Sequence, residues 1–295
     1  MDGVIILNKP KGKTSHDCVG FVRRLTGTKK AGHTGTLDPL ATGVLPICVG
    51  CATKASELLM CGNKSYTAEL VLGKTTDTLD CGGTVLCEMP VDFNEEKIRK
   101  CIMSFVGKSE QLPPMYSAIK KDGKKLYELA RQGISVERER RKIEIYSIEI
   151  LNMSKENNSA EFSVDCSKGT YIRSLCSDIG AKLGCGAYMN ALTRTKSGSF
   201  SLDDSFTFED LQALKENGNL SDALIPVDKL FDYPKITVDS RQKGFIINGV
   251  RTRYKGLDEG RLYRIYDEYG NFLCISECIE ERLTLVKSFW SSLID

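Results

Sequence analysis

Residues 32–43 read Gly32-His33-Thr34-Gly35-Thr36-Leu37-Asp38-Pro39-Leu40-Ala41-Thr42-Gly43. Three glycines let the backbone turn sharply or pass close to a ligand. Pro39 fixes its own φ and drives Asp38 toward an extended conformation. One carboxylate is therefore held on a stiff loop. Taken by themselves these residues favour a plainer reading, in which Asp38 only hydrogen-bonds the backbone of its own turn.

Working outward, the patterning mixes strands and helices. Val4–Leu7 is a short apolar strand. Ser15 offers a helix cap, and Gly27 a stop after Leu25. Val44–Val49 is apolar, and Ala52–Met60 has helical texture. Ser65–Leu72 alternates as a strand, with Tyr66, Ala68, Leu70 and Leu72 on one face. Glu95–Phe105 is an amphipathic helix. Lys142–Leu151 and Ala160–Cys166 read as strands joined by a polar turn at Ser154–Ser159. The stripe Ile172, Leu175, Cys176, Ile179 and Leu183 predicts a helix over Thr170–Leu183, capped by Thr170 and stopped by Gly184. There is no regular βαβ alternation, so the expected class is α+β. Pro226 and Pro234 bracket a change of texture. Leu262–Tyr266, Phe272–Ser276 and Leu283–Ser288 then read as strands, with a turn at Glu268–Asn271. The expected domains are residues 1–232 and a small β-rich unit over residues 233–295.

Among 295 residues, 41% are hydrophobic and 27% charged, the balance of an ordinary globular protein. The net charge of +2 says little, but its distribution is uneven. Residues 1–35 carry seven Lys/Arg against two Asp, and residues 116–142 carry nine against four Asp/Glu. Residues 200–235 reverse the balance, with three Lys against eight Asp/Glu. Basic blocks of this kind suit a nucleic-acid partner, although charge runs are as often plain solvated surface. Lys120, Lys121, Lys124 and Lys125 flank Asp122-Gly123, a hairpin-turn dipeptide, with Tyr116, Tyr127 and Arg131 interleaved.

The start MDGVIILNKP lacks the pattern of a secretory signal, and no apolar run could span a membrane. The expected compartment is the cytoplasm, where the twelve cysteines would be unpaired and mostly small buried hydrophobes. Gly12-Lys13-Thr14 and Gly73-Lys74-Thr75 lack the earlier glycine of a phosphate loop; Leu7 and Ala68 stand there. Only two histidines are present, which disfavours a histidine metal site. No cofactor and no metal are expected. No exposed association segment stands out, and a monomer is expected.

The stretch GHTGTLDPLATGVLP resembles the signature of the TruB family of tRNA pseudouridine synthases. So do Asn8-Lys9-Pro10-Lys11-Gly12-Lys13-Thr14-Ser15, Lys64-Ser65-Tyr66, Met115-Tyr116-Ser117-Ala118-Ile119-Lys120 and Cys166-Ser167-Lys168-Gly169-Thr170-Tyr171-Ile172-Arg173. The blocks follow the family's order over residues 3 to 230, and the tail resembles a PUA domain. This implies a pseudouridine synthase fold with a mixed central sheet flanked by helices. It implies isomerisation of a uridine in the TΨC loop of tRNA, with no cofactor, membrane or obligate protein partner.

By resemblance, Asp38 is the nucleophile and Arg173 its partner. Tyr66 stacks on the uracil and takes the C5 proton, Leu192 lines the uracil pocket, Tyr171 packs beside it, and His33 serves base flipping. Lys64, Lys120, Lys121, Lys124, Lys125 and Arg131 are the expected RNA contacts. One of these roles has an independent hint. Arg173 falls in the first turn of its helix, where the dipole disfavours a cation, so it calls for an anion nearby. Two other readings compete: a tRNA-folding factor in which catalysis is secondary, and a synthase acting on a guide-RNA scaffold or another RNA.

Overall fold

The run Val4–Leu7 is continuously apolar because both of its faces are buried. Ile5 and Leu7 enter one core, while Val4 and Ile6 enter another on the opposite side. The computed structural model describes residues 1–121 and 123–290. In chain order the first elements are β1 (Gly3–Lys9), α1 (Ser15–Thr26), β2 (Ala31–His33), β3 (Thr42–Val49), α2 (Ser56–Met60) and β4 (Lys64–Leu72). Next come β5 (Lys74–Thr76), β6 (Val85–Glu88), α3 (Glu95–Met103), β7 (Gly107–Gln111), β8 (Lys120–Lys121), β9 (Lys124–Lys125) and α4 (Leu126–Arg131). They are followed by β10 (Arg141–Ser154), β11 (Ser159–Cys166), α5 (Ile172–Leu183), β12 (Ala187–Ser197), β13 (Phe200–Ser201) and α6 (Phe208–Glu216). The last group is β14 (Lys235–Val238), α7 (Ser240–Ile247), β15 (Thr252–Arg253), β16 (Leu262–Asp267), β17 (Phe272–Ile279) and β18 (Arg282–Ser288).

The main sheet runs β1-β3-β12-β4-β11-β10-β7, with β2 on β3 and β13 on β12. Its pairs are antiparallel except β3 with β12, which makes the sheet mixed and the fold α+β, as expected. The apolar sides of α1, α3 and α5 pack into its principal core through Val19, Val22, Ile98, Ile102, Leu175 and Ile179. A second sheet, β14-β16-β17-β18-β15, begins at Lys235. Its Ile275, with Phe289 just beyond β18, shares a core with Val4, Ile6 and Val44, so the tail is anchored to the first strands of the chain. All twelve cysteines are free thiols, and eight are buried.

Two helix starts differ from expectation. Thr14, not Ser15, caps α1. Its hydroxyl accepts from Asp17 N at 3.0 Å, and the Asp17 carboxylate accepts from Thr14 N at 2.9 Å. Ser15 is buried and does something else: it donates to Leu37 O at 3.0 Å and accepts from Leu37 N at 2.9 Å, clamping the residue before Asp38. Helix α5 begins at Ile172 rather than Thr170, because the Thr170 hydroxyl turns back to Ser167 O at 2.9 Å. Tyr171 takes the cap position, held by Gln111 through bonds of 2.8 and 3.0 Å to its backbone. The expected Ala52–Met60 helix is a 3₁₀ segment at Gly50–Ala55 followed by α2.

β12 enters between β3 and β4 at a close approach. Gly43 has φ +99°, and a methyl placed there would run into the Arg194 carbonyl. Gly43→Ala is therefore expected to cost about 3 kcal/mol or more in chemical denaturation, combining left-handed strain with a backbone clash. An unchanged denaturation midpoint would mean that β3 and β12 separate at no cost.

Candidate active site

The loop bearing Asp38 is tied down from below. Lys9 at the end of β1 is fully buried, and its Nζ donates to Lys13 O at 2.6 Å, Pro10 O at 3.0 Å and Pro39 O at 3.2 Å. Gly12 N adds a bond to Pro39 O at 2.7 Å. The Asn8–Ser15 block thus forms the floor of the loop. The carbonyl bonds hold the Lys9 ammonium in place, while burial pushes its pKa down.

Asp38 faces Arg173 side-on. Arg173 Nε lies 2.8 Å from one carboxylate oxygen, and Nη2 donates to the other at 3.2 Å. Arg173 is only 5% exposed, against 33% for the Asp38 side chain, so the pair opens to solvent on the carboxylate side. The remaining guanidinium donors bind Thr78 O at 3.0 Å and Tyr116 O at 2.7 Å. Asp80, buried, lies 3.6 Å from Nη1. Here the first-turn arginine finds its anion, and finds two. Burial raises the Asp38 pKa above the ordinary aspartate range and Asp80 adds to the rise, while Arg173 and Lys9 oppose it.

The pair lies in a cavity of about 310 Å³ whose wall includes Asp38, Lys64, Tyr66, Tyr171, Arg173, Leu192 and Arg194. That volume is at the small end of ligand pockets and suits a single ring system. Burial pushes the Tyr66 phenol above its ordinary pKa, with Arg194 opposing, so it is neutral at neutral pH. Thr34 and Ser117 also line the cavity, and neither hydroxyl has a hydrogen-bond partner among the described residues.

His33 ends β2 outside this wall. Its Nδ1 accepts from Gly35 N at 3.3 Å. Burial, with Arg194 and His16 nearby, holds its pKa below the ordinary histidine value. Lys64 does not stand among the surface lysines. It is 7% exposed, lines the cavity, and donates to Gly62 O at 2.7 Å.

The other basic residues form a separate projection. β8 and β9 pair as Lys120 with Lys125 and Lys121 with Lys124. Asp122, at the expected turn, lies outside the described residues; Gly123 beside it has φ +81°. Lys120, Lys121, Lys124 and Arg131 are exposed. Lys125 and Arg131 lie 5.4 and 5.5 Å from the Tyr127 ring centre. The segment joins the site through the Tyr116 carbonyl on Arg173.

Asp80 and Arg194 complete the surroundings without belonging to any motif block. Arg194 could have been suspected from its place two residues after Leu192 on one strand, where side chains share a face. Asp80 has no such signal.

Residues 23–172 match the family model of the TruB family pseudouridylate synthase N-terminal domain, and residues 173–232 that of the tRNA pseudouridylate synthase B C-terminal domain. The chain is 47% identical over 292 residues to tRNA pseudouridine synthase B of Clostridium acetobutylicum, covering 97% of this chain and 99% of that one. It is 49% identical over 276 residues to the same-named protein of Alkaliphilus oremlandii, covering 93% and 89%. Among solved structures, a chain of a Cbf5-Nop10-Gar1 complex superposes with a TM-score of 0.72 at 29% identity, over 98% of this chain and 85% of that one. An H/ACA RNP bound to a substrate RNA containing 2'-deoxyuridine gives 0.71 at 27% identity, over 98% and 85%. Fold and site together define a pseudouridine-forming isomerase. The chain belongs to the TruB family of pseudouridylate synthases. No helix among the described residues is long and apolar enough to cross a membrane.

Proposed function

We propose that this synthase isomerises a uridine of the TΨC loop in tRNA, with Asp38 as the covalent catalyst. The observation that carries this reading is the side-on Asp38–Arg173 pair opening into a cavity of base size beside Tyr66. A carboxylate fixed by two guanidinium donors is pre-aimed, and attack at C1′ of a flipped nucleotide is work suited to it. Extruding the base from a folded loop costs a few kcal/mol, which stacking on Tyr66 and contact with Leu192 help to offset. A neutral phenol suits stacking better than proton abstraction. A neutral His33, half-buried beside the nucleophile loop, suits a wedge filling the place the base has left. The proposal includes action as a monomer in the cytoplasm, with no protein partner, metal or cofactor. It assigns residues 233–295, the part of the chain that carries the second sheet, to a PUA-like unit reaching further along the tRNA.

The test is pseudouridine mapping on an unmodified tRNA transcript incubated with purified protein and chelator. Product at the TΨC-loop uridine supports the reading. Product elsewhere would change the substrate. No product with intact tRNA binding would favour the folding-factor reading.

The lysine hairpin is the proposed grip on the stem-loop backbone. Replacing Lys120, Lys121 and Lys124 with alanine should raise KM for tRNA and leave kcat near wild type. The slope of log Kd against log salt should flatten by about two units, near 0.7–0.9 for each phosphate no longer neutralised. An unchanged slope would place the grip elsewhere.

A further inference from the structure

The cavity is electrically divided. Arg173 on its wall meets both Asp38 and Asp80, so two carboxylates share one cation. At two other residues of the wall the balance reverses. Arg194 is 2% exposed and Lys64 7%, both line the cavity, and among the described residues no carboxylate pairs with either. Arg194 Nε donates to Val44 O at 2.7 Å and Nη2 to Gly35 O at 3.1 Å. Lys64 Nζ donates to Gly62 O. Carbonyls orient these cations but do not neutralise them. Two buried cations without a counter-ion are costly, and such an arrangement signals an anion that arrives later. Their location is specific: Arg194 on β12 is the register partner of Tyr66 on the adjacent β4, and Lys64 lies two residues before Tyr66 on β4.

Breaking a glycosidic bond creates the matching division of charge. We propose that Arg194 and Lys64 stabilise the detached uracil as an anion, resting on the reading above in which Asp38 faces the sugar. The C1′–N1 bond breaks with its electron pair leaving on the base, where it spreads over N1, O2 and O4. An Asp38 oxygen bonds to C1′. Once the base has turned, C5 bonds to C1′ while the C1′–oxygen bond breaks and restores the carboxylate. The proton lost from C5 balances the one taken up by N1. Cations fixed where charge develops act mainly on the transition state, and act strongly in a desolvated site. Burial beside Arg194 brings the Lys64 ammonium down to about 8, which leaves it mostly charged at neutral pH. Arg194 also donates to Gly35 O, which ties it to the loop that carries Asp38.

The test compares leaving bases. Stem-loop RNAs carrying uridine or 5-fluorouridine at the target are reacted in single turnover with wild type, Lys64→Met and Arg194→Lys, and rearrangement at the target nucleotide is followed. Fluorine withdraws electron density, so the departing base needs less help. Lys64→Met should slow uridine by about 10²-fold and 5-fluorouridine by about tenfold or less, with RNA Kd unchanged. Arg194→Lys, which keeps the charge and loses the planar fork, should show the same inequality in smaller measure. Equal slowing of both substrates would overturn the proposal, because misplaced packing does not discriminate between leaving bases. So would no slowing at all. If Arg194→Lys fails to fold, Lys64→Met decides alone; its fold is checked by thermal melting. Wild-type inactivity on uridine in these stem-loops would instead count against the TΨC-loop assignment, and so is distinguishable.

Discussion

Asp38→Asn should abolish pseudouridine formation, by about 10⁴-fold or more, while leaving tRNA affinity within about twofold. The amide has the shape of the carboxylate, and its single oxygen keeps one of the two Arg173 bonds, while Ser15 and Lys9 still clamp the loop. What disappears is the carboxylate proposed as nucleophile. A 10⁴-fold loss is about 5.4 kcal/mol of transition-state stabilisation, more than any repositioning of an intact carboxylate would remove. The pH profile supplies a second signature. Asp38 must be ionised to act, and burial raises its pKa while Arg173 holds back the rise. Activity should therefore fall on the acid side through an apparent pKa above the ordinary aspartate value of about 3.9, and be restored as pH rises through it. Residual turnover by Asp38→Asn near wild-type level would assign the chemistry to another group.

Arg173→Met should be the most damaging substitution to fold and function together. The guanidinium holds Asp38, Thr78 O and Tyr116 O, with Asp80 beside it. Removing it leaves two carboxylates facing one another in a largely desolvated place. Breaking a buried pair in this way costs about 3–5 kcal/mol, and Tm should fall by roughly 10 °C. Without the cation, the acid limb of any residual activity should move further up in pH, since nothing then opposes the burial of Asp38. Arg173→Lys should recover part of the stability and little of the rate, because an ammonium cannot hold both carboxylate oxygens. A melting temperature equal to wild type for Arg173→Met would mean that solvent, not Arg173, screens the two acids.

Much of this was legible in the sequence. The α5 stripe, the alternation of β4 and the apolar β1 are local periodicities, and local periodicity survives folding. Arg173 could be assigned an anion because the helix dipole makes an N-terminal cation conspicuous. The helix caps went astray by one residue at Ser15 and at Thr170. In each case the hydroxyl satisfies a different group, Leu37 across the loop and Ser167 behind it. Side-chain chemistry alone does not say which backbone group is in reach. The roles of Asp80 and Lys64 were hidden for a related reason. Asp80 acts from a loop 93 residues away from Arg173 in the chain, and the Lys64 ammonium differs from a surface lysine only by its burial. Neither property is written in neighbouring residues.

The place of β12 has a consequence for how the molecule comes into being. This strand lies between β3 and β4, and it carries Leu192 and Arg194. During synthesis from the N-terminus, β3 and β4 are made well over a hundred residues before the strand that separates them. Until β12 arrives, the emerging chain has a slot where two strand edges wait unpaired, and loop-closure entropy makes such distant pairing slow. Asp38 can exist in a partly folded chain, but the cavity lined by Leu192 and Arg194 cannot. The last strand to enter the main sheet's centre is also the one that finishes the site, so the nascent protein gains its catalytic cavity and its closed sheet in one step.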